Sequence, residues 1–326
     1  MIKGNGMNNY INILQPKNIL RRMLLPVLLL PAILQTATAQ DTKTDTIPVA
    51  QPDTTVQEAP VRKWGKPVRN TFESIWLIDA QTVEVPVKGT FEMDFRHRFG
   101  LVNNGYKDFY GLFSSANIGL NANYVPIKNL LIGVALTKYD MTWEGYLKYA
   151  LLRQVRSGAG SPVSVTYYGN MAIESRQSDT YNYFSDRMSY FHQLMVARKI
   201  TEKLSLQVAG GWSHFNVVQG YSPYAGKFLK EKPNDHFVFS AGGRYKLKES
   251  MAIVASYDQP LTKDNVGNAH PNLSLGLEMS TSGHTFQFFV GNYSYLTPQR
   301  NVVFNQNDFT KKQFLIGFNI TRLWNY

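Results

Sequence analysis

The sequence predicts an all-β fold: a transmembrane antiparallel β-barrel of about twelve strands, with short periplasmic turns and longer external loops. Three observations predict it. From Thr90 onward the chain is a succession of segments in which apolar and polar residues alternate, the period of a strand whose side chains point to opposite faces. The connections between these segments alternate between short and long, as turns and loops do in such barrels. The last segment, FLIGFNITRLWNY, places Phe314, Ile316, Phe318, Ile320, Arg322, Trp324 and Tyr326 on one face, and Leu315, Gly317, Asn319, Thr321, Leu323 and Asn325 on the other. An apolar stripe ending in aromatics fits a lipid-facing surface with a girdle at the membrane boundary. The final strand of a soluble sandwich would show the same alternation, but a sandwich has no reason to sort its loops by length.

Composition agrees. Tyr and Phe number 19 each, Gly 24, and charged residues make up only 17% of the 326 residues, which suits a barrel with an apolar outer band. After the N-terminal region no run of eighteen apolar residues occurs, so a helical membrane protein is not expected. At the N-terminus Arg21 and Arg22 precede MLLPVLLLPAIL and then TATAQ. This is the basic, apolar and small-x-small order of an export signal, with cleavage expected after Ala39. The signal carries four basic and no acidic residues, so its removal lowers the formal charge from +11 to +7. Those charges read as scattered over loops and strand ends. They favour outer-membrane phospholipid and lipopolysaccharide over nucleic acid as partners. The absence of cysteine excludes disulfides, thiolate metal sites and a Cys-linked lipid anchor.

In chain order, residues 1–39 are the signal and 40–69 a Thr-, Pro-, Asp- and Gln-rich periplasmic linker without periodicity, expected to be disordered. Residues 70–89 form a pre-barrel segment. Phe72, Ile75, Trp76 and Ile78 would share one side of a short helix or belong to an irregular strand, lying in or under the barrel as a plug. The barrel spans 90–326. In TFEMDFRHRFG, Phe91, Met93, Phe95, His97 and Phe99 face one way, and Glu92, Asp94, Arg96 and Arg98 the other. Eleven further strands are expected at about 115–125, 129–139, 142–152, 163–172, 188–199, 204–214, 236–247, 250–258, 272–280, 284–292 and 313–324. The long connections, including 216–235, whose first part (216–228) is an aromatic loop, and 293–312, are expected outside. The tight Tyr139–Thr142 connection and the longer Arg153–Pro162 turn depart from the sorting.

The motifs HRFG (97–100), GYLKYALLRQ (145–154), VSVTYYG (163–169), DRMSYFHQLMVARK (186–199), LSLQV (204–208), GGRYKL (242–247), SLGLEM (274–279), GHTFQF (283–288) and IGFNITR (316–322) follow one another through most of 72–326. In this order they resemble a family of uncharacterised outer-membrane β-barrels, a domain of unknown function, from Bacteroidetes-type Gram-negative bacteria. The resemblance implies a multi-pass barrel in the outer membrane. It implies no activity. The 290–304 stretch follows the family pattern only loosely.

The chain carries no phosphate loop, no dinucleotide fingerprint and no HExxH, so neither a cofactor nor a metal is expected. Lipid-modifying barrels use a Ser and a His near the membrane boundary. Here Ser189 and His192, like Ser213 and His214, fall on opposite faces of their segments, so an enzyme is the weakest of the three readings. The strongest is a narrow channel or transporter for small polar or charged solutes, with Glu92, Asp94, Arg96, Arg98, Glu144 and Lys148 lining the lumen. Between them stands a structural or partner-binding barrel whose charges pair inside a closed lumen. Trp143, Trp212, Phe318, Trp324 and Tyr326 are expected as girdle anchors and as the C-terminal signal for the barrel assembly machinery.

Overall fold

Twelve of the alternating segments pair edge to edge and close on themselves. In the computed structural model, which describes residues 65–224 and 227–325, the barrel consists of β3 (Thr90–Leu101), β4 (Asn117–Ile127), β5 (Leu130–Thr137), β6 (Thr142–Leu152), β7 (Ser164–Glu174), β8 (Met188–Lys199), β9 (Leu204–Phe215), β12 (Asp235–Lys248), β13 (Met251–Pro260), β14 (Asn272–Ser280), β15 (His284–Gly291) and β16 (Leu315–Asn325). Every barrel strand pairs antiparallel with its neighbours, and β16 closes against β3. All twelve expected strands are present, with small shifts at their ends. The export signal, most of the 40–69 linker and Tyr326 lie outside the described residues.

Register follows from the alternation, because a slip by one residue would turn every apolar side chain inward. At the seam Phe91 opposes Trp324 and Phe95 opposes Ile320, while Asp94 opposes Thr321 and Arg96 opposes Asn319. The result inverts a soluble protein. Val134, Trp143 and Leu275 are more than half exposed on the outside, whereas Arg98 and Lys148 are fully buried inside. Such an outer surface is stable only against hydrocarbon. Among the described residues no helix is long and apolar enough to cross a membrane; the strands do so.

The short connections gather at one end and the long ones at the other. Both departures have local causes. The tight connection of residues 139–141 turns through Asp140 and Met141 at positive φ (52° and 45°). The long inward turn pairs with the chain entering the barrel, Gly65 N–H bonding Ala159 O (3.0 Å) and Val68 N–H bonding Gln154 O (2.7 Å). In the longest external connections the chain builds structure of its own. A hairpin of β10 (Gly220–Tyr224) and β11 (Lys227–Lys230) stands in one, and a short helix, α1 (Pro298–Phe304), forms in another.

Residues 70–89 are not helical. They enter the barrel as an irregular strap whose only regular part is the pair β1 (Trp76–Leu77) and β2 (Ala80–Gln81). The four apolar residues proposed for a helix face are all buried. They are buried because the wall surrounds the strap on every side, a setting that asks for no helical stripe.

Candidate functional site

The lumen is the candidate site, and its wall is built by the inward positions of the strands. All six charged residues expected there point inward and are buried: Glu92, Asp94, Arg96, Arg98, Glu144 and Lys148. What they meet is chiefly the strap. Asp79, at the strap's turn, accepts from Arg98 Nε (3.0 Å) and Nη2 (2.5 Å) and from Arg96 Nη1 (3.3 Å). The Arg96 guanidinium lies 4.3 Å over the Trp76 ring, and the Trp76 indole N–H donates to Asp94 Oδ2 (2.9 Å). Lys148 Nζ donates to the carbonyls of Ile75 (3.1 Å) and Glu84 (3.3 Å).

The neutral wall residues continue this pattern. Gln287 receives Ile78 N–H through Oε1 (3.2 Å) and donates through Nε2 to Trp76 O (3.0 Å). Gln207 grips the other side, receiving Val83 N–H (3.0 Å) and donating to Gln81 O (2.7 Å). Asn319 donates to Ile78 O (2.7 Å), and Thr166 to Val83 O (2.8 Å). A strap whose own sheet is a single pair of two-residue strands has other backbone groups that must bond elsewhere when buried; here wall side chains supply the partners. Ile78 is held at φ 63°, a conformation costly for a β-branched residue, of order 1–3 kcal/mol. Wall and strap also fit sterically: a Cβ at Gly242 would stand 2.5 Å from Leu77 Cδ2.

The external end is closed by the connection between β15 and β16. Its Leu296 is buried, and the carbonyl accepts from Arg96 Nη2 (3.0 Å). Helix α1 starts with Pro298 at its first turn, a favoured place for proline. Gln299 Nε2 reaches Asn170 Oδ1 (3.1 Å) and Ser189 Oγ (3.2 Å). Arg300 ties the helix to the rim, pairing with Asp140 Oδ2 (2.9 Å) and with Glu174, against the rings of Tyr139, Tyr295 and Phe304. Burial opposes the charge of Arg300, but the two carboxylates outweigh it and hold its pKa above the ordinary value. Burial and the neighbouring Tyr139 push the Tyr295 phenol up to about 12. Beside this helix lies a cavity of about 390 Å³ lined by Tyr139, Glu174, Tyr181, Glu231, Tyr295 and Arg300 among others. Val217, Val218 and Gln219 of the aromatic loop also line it.

The outward candidates separate by height. Trp143 and Trp212 stand towards the long-loop ends of β6 and β9, and Trp324 at the short-turn end of β16. Phe318 sits in the middle of β16 within an aromatic cluster of Phe95, His97, Phe99 and Phe288. Three of the histidines bond neighbouring groups: His192 the Tyr167 hydroxyl (2.6 Å), His214 Asp235 (2.8 Å) and His236 the Pro233 carbonyl (2.8 Å).

A closed twelve-stranded barrel with an apolar exterior and a polar, filled interior now stands against the comparisons with known proteins. A family model described as a membrane bound beta barrel domain (DUF5777) matches residues 72–324. The chain belongs to this family. Membership in DUF5777 covers both the strap and the barrel, and a membrane-spanning antiparallel barrel of this kind resides in the outer membrane. No curated protein matches the chain. Among solved structures, an outer-membrane channel from Pseudomonas putida F1 is similar over 74% of this chain and 97% of its own (13% identity, TM-score 0.45). The NanC porin is similar over 72% and 99% (9% identity, TM-score 0.44). The KdgM porin, in complex with disordered oligogalacturonate, is similar over the same shares (9% identity, TM-score 0.42).

Sequence reasoning found the inward charged line of β3 but missed its partners. Asp79 lies 17 to 19 residues away in the pre-barrel segment, and Gln287 and Asn319 more than 200 residues from the strap groups they bind. The one available signal was the proline following Thr297, a helix start inside a long external connection.

Proposed function

We propose that the protein is a narrow channel for small polar or charged solutes, closed at rest by the strap of residues 71–85 and by the connection carrying α1. The observation that carries this reading is the chemistry of the wall behind the strap. A lumen meant to stay filled is packed as well or better by apolar side chains, because buried ion pairs rarely repay their desolvation. This wall keeps Glu92, Asp94, Arg96, Arg98, Glu144 and Lys148, and neither carboxylate oxygen of Glu92 receives a hydrogen bond among the described residues. Such a surface is at ease only when water reaches it.

The strap is also held weakly enough to leave. Its apolar side chains Phe72, Ile75, Trp76, Leu77, Ile78, Val83 and Val85 are buried and contribute roughly 15 kcal/mol. Twelve hydrogen bonds to the wall add about 12 kcal/mol at roughly 1 kcal/mol each. Ordering the strap costs about 22 kcal/mol at roughly 1.5 kcal/mol per residue. The balance is a few kcal/mol, the range of a two-state gate. Lined by the cavity beside α1, the external mouth is the entrance, and the aromatic and charged residues there are suited to hold a polar solute briefly.

Planar-bilayer recording of the purified barrel tests the proposal. Brief or small openings are expected from the full chain and sustained conductance after deletion of residues 70–88. Arg96→Glu in the deleted background should shift ion preference towards cations. A folded barrel that stays silent in the deletion combined with Arg300→Ala would overturn the channel and leave a closed, partner-binding barrel. The apolar packing of the strap is the feature that favours that second reading.

A further inference from the structure

The basic residues are not scattered in space, as they are in sequence. Along the short-turn rim Lys88, Lys128, Arg198, Lys203 and Lys248 are exposed, and they come from four different connections around the circumference. The acidic residues of these turns are Glu202 and Glu249, and both are already held. Glu202 pairs with Arg156 and Lys199, and Glu249 with Lys246. At the long-loop end the connections, with Glu174 and Asp235 at the strand ends beside them, carry eleven bases against nine acids; Arg300 pairs with Asp140 and Glu174, Lys232 with Asp264, and Lys311 with Asp308. The basic excess is therefore concentrated at one end.

Two of the short-turn cations face the bilayer itself. On β8, Arg198 follows Leu194 and Val196 on the outward side. On β16, Arg322 follows Phe318 and Ile320, opposite Asn319 and Thr321, which are buried inward. Its cross-strand partner is His284 of β15, whose ring nitrogens lie 2.9 and 3.0 Å from Arg322 Nη1, and its guanidinium stands 5.3 Å over Trp324. On the other flank Arg322 meets Met93. None of these neighbours is an anion. A guanidinium at the edge of hydrocarbon needs one, and its long stem can carry it to the headgroup level.

We infer that the short-turn rim is a docking surface for anionic phospholipids of the periplasmic leaflet. Their headgroup phosphates would be bound around the circumference by Lys88, Lys128, Arg198, Lys248 and Arg322. A ring of cations suits an annulus of lipid; one soluble partner would call for a single dense patch. Headgroup attraction of this kind acts at each cation near the surface.

The mature protein is reconstituted into vesicles of equal phosphatidylglycerol and phosphatidylcholine, extracted in mild detergent, and its retained lipids are counted by mass spectrometry. Phosphatidylglycerol should be enriched at least threefold over phosphatidylcholine. Changing Lys88, Lys128, Arg198, Lys248 and Arg322 to Gln should bring the ratio near one, and changing external Lys263, Lys311 and Lys312 to Gln should leave it enriched. If the fivefold variant loses its heat-modifiable gel shift, Arg198→Gln with Arg322→Gln should still lower the enrichment about twofold. No enrichment in the parent protein, equal loss in the external control, or lipid A displacing phosphatidylglycerol from the same residues would each overturn the inference.

Discussion

Asp79→Asn should open the barrel. The substitution keeps the size of the side chain and removes the charge that Arg96 and Arg98 share at the strap's turn. Its carboxylate is only 6% exposed, so solvent does little to screen the loss. Removing one partner of a buried pair costs about 3–5 kcal/mol, because the remaining charges stay desolvated. That cost falls on the closed state alone, since with the strap displaced both guanidinium groups meet water. At about 1.4 kcal/mol per factor of ten, the ratio of open to closed should rise roughly 100- to 3000-fold. Bilayer recording reads this directly as open time. Adding Arg98→Gln removes one of the stranded charges and should recover part of the closure, a coupling that a general loosening of the barrel would not show. An open fraction within about threefold of the parent in a barrel with a normal gel shift would refute the reasoning, and the strap would be a filler with no role in gating.

Two further outcomes follow from the seam and the mouth. Trp324→Ala removes the ring that packs 5.7 Å from Phe91 across the closure. It should loosen the seam by about 1–2 kcal/mol, lowering by a few degrees the temperature at which the gel-shifted form is lost; deleting Trp324 to Tyr326 should abolish that form. Arg300→Ala removes the cation shared by Asp140 and Glu174, leaving Asp140 with Arg176 and Glu174 with the Tyr181 hydroxyl, at a cost of up to about 3 kcal/mol. Amide exchange in residues 298–304 should accelerate roughly 100-fold, and unchanged protection would show that α1 is held by other contacts.

The wall was legible in the sequence, and what fills it was not, for a physical reason. Barrel strands obey a period of two imposed by lipid on one side and polar surroundings on the other, so Phe95 against Arg96, or Phe318 against Asn319, announces itself locally. The strap and α1 obey no such boundary. Enclosed on all sides, Ile75, Trp76, Leu77 and Ile78 are buried consecutively, and a run of this kind fits strand, helix or neither. Seven residues of α1 are too few for a helical period, and its buried Gln299 and Asn301 read as loop residues because nothing local reveals the polar wall they meet. The basic rim was missed for a related reason: residues far apart in the chain share one end only when alternate turns are stacked together.

The bonds between wall and strap run mostly from side chains of the wall to the main chain of the strap. Every amino acid except proline brings the same amide and carbonyl, so replacing Gln81 or Val83 leaves those bonds available, whereas replacing Gln207, Gln287 or Asn319 deletes them. The polar part of the fit therefore resides in the barrel, and the strap's own side chains answer it at Trp76 and Asp79. A foreign segment of the same length would need an acid and an aromatic at those two places and apolar side chains filling the space of Phe72, Ile75, Leu77, Ile78, Val83 and Val85.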